Sequence, residues 1–137
     1  MKNVVVQGIG YVGAALSVAI SSKRDKKNKP LFKVSAIDKE NNIGLARIKS
    51  INSRIFPFKT KDKLLKSELK KSIARKNLLA SSSLSFYRTA SVVVICINCD
   101  LIQKGNQLNI NYKKLVSYVF SFAPISMFRL ISNAYFY

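Results

Sequence analysis

The sequence has no histidine and no tryptophan, only two cysteines, and six acidic residues against 24 lysines and arginines. Without histidine there is no imidazole base, no Ser-His-Asp triad and no His-containing zinc site. Two cysteines allow at most one disulfide, so a disulfide-built secreted scaffold is excluded. Cys96 and Cys99 do form a C-x-x-C. Such a pair serves redox chemistry when it opens a helix, whereas Cys96 reads as part of an apolar strand facing the core. Zinc would need two further ligands of a kind the chain lacks.

The shortage of acid leaves a net charge of +18. Residues 23–33 hold six basic groups against Asp25, and residues 59–76 hold eight against Asp62 and Glu68. Such a surplus favours anionic partners: nucleic acid, an acidic membrane or nucleotide phosphates. The plainer reading is of solvated lysines on polar faces, because aromatics are not interleaved with them. No specific nucleic-acid motif is present. A basic nucleic-acid-binding protein and a membrane-associated protein stand as the alternatives from other classes.

Long hydrophobic runs are also scarce. Residues 3–22 are twenty in a row without a charge, but Gly8, Gly10 and Gly13 interrupt them, and each glycine costs a helix interior about 1 kcal/mol relative to alanine. A signal peptide or membrane anchor is thus disfavoured, and a cytoplasmic location is expected. Residues 115–128, fourteen without charge and containing Pro124, are short for a span.

At 137 residues with 48% apolar composition, the chain is long enough for one ordinary core. Val4, Val5 and Val6 form a short β-branched run of the kind buried on both faces of a parallel sheet. Gly8-Ile9-Gly10-Tyr11-Val12-Gly13 breaks it, and residues 14–20 then read as a buried helix. A second strand over residues 32–37 ends at Asp38. Asn41 or Asn42 caps a helix running to about Ile51, with Ile43, Arg47 and Ile51 at four-residue spacing. Pro57 stops that helix, and Thr60 or Asp62 opens another with Leu65, Leu69 and Ile73 as its apolar stripe. Residues 78–82 predict a short strand, and residues 91–97 predict a fully buried one. Tyr112, Leu115, Val116 and Val119 predict a final helix. Strands alternating with helices imply an α/β fold, a Rossmann-like doubly wound parallel sheet. The expected domain covers residues 1–123, with an apolar tail over residues 124–137 through which the chain could self-associate.

The glycine motif carries the chemistry. Gly8 permits the tight turn out of the strand, Gly10 leaves the backbone open to a pyrophosphate, and Gly13 lets helix and sheet pack closely. The N–H groups at the helix start then hold phosphate charge. Asp38 lies 30 residues after Gly8, where a carboxylate accepts bonds from ribose hydroxyls and repels a 2′-phosphate. That favours NAD, although the adjacent Lys39 weakens the exclusion of NADP. The candidate cofactor site is therefore Gly8, Ile9, Gly10, Tyr11, Val12, Gly13 and Asp38, with no metal ligands.

The stretch GIGYVGAAL, with Asp38 closing the second strand, resembles the opening of the UDP-glucose/GDP-mannose dehydrogenases. INSRIFPF at residues 51–58 resembles their Asn-Ser/Asn-Gly-x-x-P segment, and residues 90–95 resemble the strand that follows. The likeness covers roughly residues 4–122. It implies an NAD-dependent oxidoreductase acting at C6 of a nucleotide sugar, in the setting of polysaccharide biosynthesis. Three departures stand out. Arg54 replaces a common glycine, Ser91 replaces a common aspartate, and residues 97–100 replace a Val-Pro-Thr-Pro whose threonine helps to hold the cofactor. The family's catalytic cysteine and lysine fall beyond residue 137. The expectation is therefore a truncated cofactor half with no catalytic residue, inactive alone and able to act on a nucleotide sugar only if a catalytic half is supplied.

Overall fold

The computed structural model describes residues 1–97, the strand segments 101–104 and 107–110, and residue 113. The chain divides into two compact units, Met1–Ile97 and Asn98–Tyr137. The predicted helix from Tyr112 to Val119 (Lys113 apart), the tail and its self-association fall outside the described residues, as does Cys99.

In the first unit the chain runs β1 (Lys2–Gln7), α1 (Tyr11–Ser21), β2 (Phe32–Ile37), α2 (Asn42–Asn52), α3 (Lys63–Ala74), β3 (Leu78–Ser81), a 3-10 helix (Leu84–Thr89) and β4 (Val92–Ile95). All four strands are parallel, in the order β3-β2-β1-β4. Strands β2 and β3 lie to one side of β1, and β4 lies on its other side. The order therefore reverses at β1, and the C-terminal ends of β1 and β4 flank the point where open α/β sheets take ligands. This is the expected Rossmann-like α/β fold.

The sheet is covered unequally. One face packs Val4, Val6, Val34, Ala36, Leu78 and Ala80 beneath Ala14 and Val18 of α1, Ile51 of α2 and Leu69 of α3. The other face carries a smaller cluster of Val5, Ile37 and Tyr87, the last from the 3-10 helix. The β3–β4 connection thus crosses opposite α1, so the sheet is covered on both sides.

Local chemistry sets the element ends. Asn41 Oδ1 accepts the Gly44 N–H at 2.8 Å and starts α2, and Asp62 Oδ1 accepts the Leu65 N–H at 2.9 Å and starts α3. Leu69 is fully buried on α3, with Leu65 and Ile73 half-buried beside it and the helix lysines exposed. Between α1 and β2, Asp25 Oδ1 accepts the N–H groups of Lys27 and Lys29, both at 2.8 Å, and folds the basic loop onto itself. Its lysines stand in solvent, as do those of α3.

Three features escape a reading of pattern alone. The run predicted as a fully buried strand forms β4 at the sheet's edge, with Val92, Val93 and Ile95 at 41%, 44% and 38% exposure. An apolar strand is buried where other elements cover both faces of the sheet beside it, and at β4, which among the described residues pairs with β1 alone, that cover is incomplete. Residues 101–104 and 107–110 form an antiparallel pair in the second unit, where no strands were expected. Arg54, standing where the resembled family has glycine, takes φ 64°. That left-handed conformation costs a side-chain-bearing residue about 1–2 kcal/mol and glycine almost nothing.

Asn52 secures the sheet's far edge. Its Nδ2 donates to the Ala80 carbonyl and its Oδ1 accepts the Ala80 N–H, each at 2.9 Å. The side chain thereby satisfies the backbone of β3 where, among the described residues, no further strand does. Both bonds are part-buried, and a bond of this kind contributes about 0.5–1.5 kcal/mol net. Asn52→Ala should lower unfolding free energy by about 1–3 kcal/mol in urea titration, since both bonds go together. An unchanged midpoint would show that water replaces them without loss.

Candidate dinucleotide site

The turn from β1 into α1 is tightly confined. Gly8 donates to the Ile37 carbonyl at 2.7 Å, and Cys96 donates to the Gln7 carbonyl at 2.7 Å. The turn therefore begins between the ends of β2 and β4. Gly8 takes φ 94°, and a Cβ there would strike the Cys96 carbonyl oxygen and stand 3.3 Å from Ile97 Cγ2. Glycine is required on both counts. Gly13, within the first turn of α1, faces the Gly8 carbonyl so closely that a Cβ would overlap its oxygen and meet Cys96 Cβ at 3.1 Å. Ser17 below it bonds the Gly13 carbonyl at 2.7 Å.

Gly10 differs. A Cβ built there meets nothing within 4 Å, so neither fold nor packing asks for glycine at this position. Gly10 is also the N-cap of α1 and supplies no side-chain cap, and the first turn carries no acidic residue. Helices α2 and α3 are both capped by their own side chains. The start of α1 therefore presents N–H groups and the positive end of the helix dipole beside an open space.

The other sequence-predicted residues divide. Tyr11 and Val12 are exposed at 51% and 68% on the outer turn of α1. The Ile9 side chain is fully buried in the core, so only its backbone faces the turn. Asp38 follows β2 directly, next to the C-terminal end of β1. Its Oδ1 accepts the Lys39 N–H at 2.9 Å, and its Oδ2 lies 3.4 Å from Arg47 Nη1. A carboxylate has about four lone-pair positions, so acceptor capacity remains for a diol.

Around these residues stands a group that the sequence did not flag. Tyr11, Phe56 and Phe58 pack in a trio with ring centroids 5.7–6.0 Å apart, Phe56 edge-on to both others and Tyr11 tilted against Phe58. Arg47 lies over Phe58 with its Cζ 5.4 Å from the ring centroid. The four residues are contributed by α1, α2 and the α2–α3 loop, so no local spacing announces them. Pro57, read as a helix stop, lies between Phe56 and Phe58 in the α2–α3 loop.

No family model and no curated sequence matches the chain. Solved structures do. The NDP-N-acetyl-D-galactosaminuronic acid dehydrogenase of Methanosarcina mazei Go1 superposes with a TM-score of 0.68 at 18% identity, over 87% of this chain and 24% of that one. The GDP-mannose dehydrogenase of Pseudomonas aeruginosa gives 0.61 at 20% identity, over 82% and 23%. The UDP-D-ManNAc dehydrogenase of Pyrococcus horikoshii gives 0.61 at 18%, over 87% and 25%. At these identities the likeness establishes a shared fold, and the chain spans about a quarter of each neighbour's length. The resemblance read from GIGYVGAAL meets the same class of proteins again in three dimensions.

Two other readings can be placed. Among the described residues no helix is long and apolar enough to cross a membrane, and no cluster of potential metal ligands exists. Cys96 is half-buried behind the glycine turn, and desolvation pushes its thiol above the ordinary range. A redox nucleophile needs the opposite shift. Because the native state favours the protonated thiol, the corresponding stability is lost as pH rises past the thiol's unfolded value. In a Cys99→Ser variant at pH 8, Cys96 should alkylate more slowly in the native chain than in urea. Equal rates would place the thiol in open solvent.

Proposed function

We propose that this chain is the NAD-binding domain of a nucleotide-sugar 6-dehydrogenase, an enzyme that oxidises a UDP- or GDP-sugar at C6. The observation that carries the reading is the open side of Gly10. Glycine stands where neither backbone nor packing requires it, at an uncapped helix start beside the sheet's switch point. A pyrophosphate is a ligand that uses that absence of a side chain. The backbone of Gly8, Ile9 and Gly10 and the N–H groups of Tyr11, Val12 and Gly13 would receive it. Asp38, one strand away, would take the ribose hydroxyls.

The donor set fits this cofactor, with an anion receptor at one strand end and a diol receptor at the next. NAD, when bound, supplies a hydride acceptor for the sugar's C6 carbinol. This chain's residues hold and orient it, and the net charge of +18 favours an anionic ligand at long range. The fold shared with three sugar-nucleotide dehydrogenases supports the substrate class. No residue here is assigned to the oxidation itself. The nucleotide sugar and the groups acting on it would belong to a catalytic part other than these residues.

The test contrasts two glycines. NADH should bind saturably, followed by its fluorescence, and Gly10→Val should abolish binding with an unchanged melting temperature. Gly8→Val should lower the melting temperature because it strikes the Cys96 carbonyl. Full NADH affinity in a folded Gly10→Val variant would overturn the reading.

A further inference from the structure

We infer that Arg47 is a specificity-determining residue of the ribose end of the site, a guanidinium that partly offsets the exclusion of a 2′-phosphate by Asp38. The inference deepens the dinucleotide reading above and rests on it.

Asp38 is not a lone carboxylate. Its side chain is 10% exposed, Oδ1 is held by the Lys39 N–H at 2.9 Å, and Oδ2 faces Arg47 Nη1 at 3.4 Å. That last contact is long for a charged pair, which is normally 2.7–2.9 Å. Arg47 is thus beside the carboxylate without being consumed by it. A guanidinium carries five N–H donors, and among the described residues only this one has a protein acceptor. The side chain is 32% exposed, and its plane is kept near Phe58 by the 5.4 Å cation–ring contact. Phe58 is fixed in turn by Phe56 and Tyr11 at the start of α1.

Two opposite charges therefore meet at the position where the ribose 2′ substituent distinguishes the two cofactors. Asp38 accepts a 2′-hydroxyl and repels a 2′-phosphate. Arg47 has donors to spare for a phosphate, and planar bidentate recognition of phosphate is what a guanidinium does best. The site should prefer NAD, with a margin narrower than a lone aspartate would impose.

The experiment measures dissociation constants for NADH and NADPH with the full chain, at about 0.15 M salt, where the screening length of about 8 Å suppresses the general pull of the lysines. Arg47→Gln removes the charge while its amide can still donate to Asp38. It should leave NADH affinity within about threefold and weaken NADPH about tenfold, the size of one charge-assisted bond. The NADH preference then widens. Asp38→Asn should strengthen NADPH, and adding Arg47→Gln should cancel that gain. Arg47→Ala is the second variant, with circular dichroism to verify folding. Lys63→Ala, on the exposed side of α3, should leave the ratio unchanged. If Arg47 served only to orient Asp38, Arg47→Gln would weaken both cofactors equally or neither, which overturns this inference alone. A wild-type chain that binds neither cofactor overturns the dinucleotide reading as well.

Discussion

The contact between the Gly8 backbone and the Cys96 carbonyl is the constraint on which the rest of the first unit depends. The chain must leave β1, pass between the ends of β2 and β4, and turn at once into α1. Only a residue with no side chain and φ near 94° passes that gap. The helix then starts close above the sheet, which places Gly13 against the Gly8 carbonyl and brings Ala14 and Val18 onto Val4, Val6 and Val34. A larger turn would lift α1, thin the core beneath it and carry its N–H groups away from the strand ends. Packing and ligand geometry thus come from one close approach. Gly10, one step further, is free of the packing demand and can serve binding alone.

Charge plays a secondary part in holding the fold. Two ion pairs occur among the described residues, Arg47–Asp38 and Lys71–Glu68, in a chain with 24 basic groups. Exposed pairs each contribute little, about 0–1 kcal/mol, so the lysines matter more for the field they generate than for stability. That field favours any anion. Selection among anions has to come from the few fixed groups at the strand ends, where Asp38 and Arg47 would set the opposite preferences proposed above.

Much of this was legible in the sequence because its causes are local. The β-branched run Val4-Val5-Val6, the glycine spacing, the caps Asn41 and Asp62, and the Leu65, Leu69 and Ile73 stripe all act within a few residues. Composition and periodicity report such effects directly. The misreadings concern neighbours distant in sequence. An apolar run such as residues 92–95 gives no sign of how many strands will flank it, and β4 has one among the described residues. Asn52 reads as the tail of a helix until β3 arrives beside it 28 residues later. Arg47 falls in register with Ile43 and Ile51, yet Ile51 is fully buried and Ile43 is 64% exposed. Register alone could not show that the arginine leans toward Asp38 and Phe58.

On the proposed function, the start of α1 and the end of β2 would receive a dinucleotide, and the basic helix α3 would not. Amide chemical shifts report it directly. In a 1H–15N titration of the labelled chain with NAD, the largest shifts should fall on Gly10, Tyr11, Val12 and Gly13, with a second group at Asp38 and Lys39. The amides of Lys66, Lys70 and Lys71 should stay in place. Shifts concentrated on α3 and the 23–33 loop, with the glycine turn unmoved, would instead make the chain a general binder of anions.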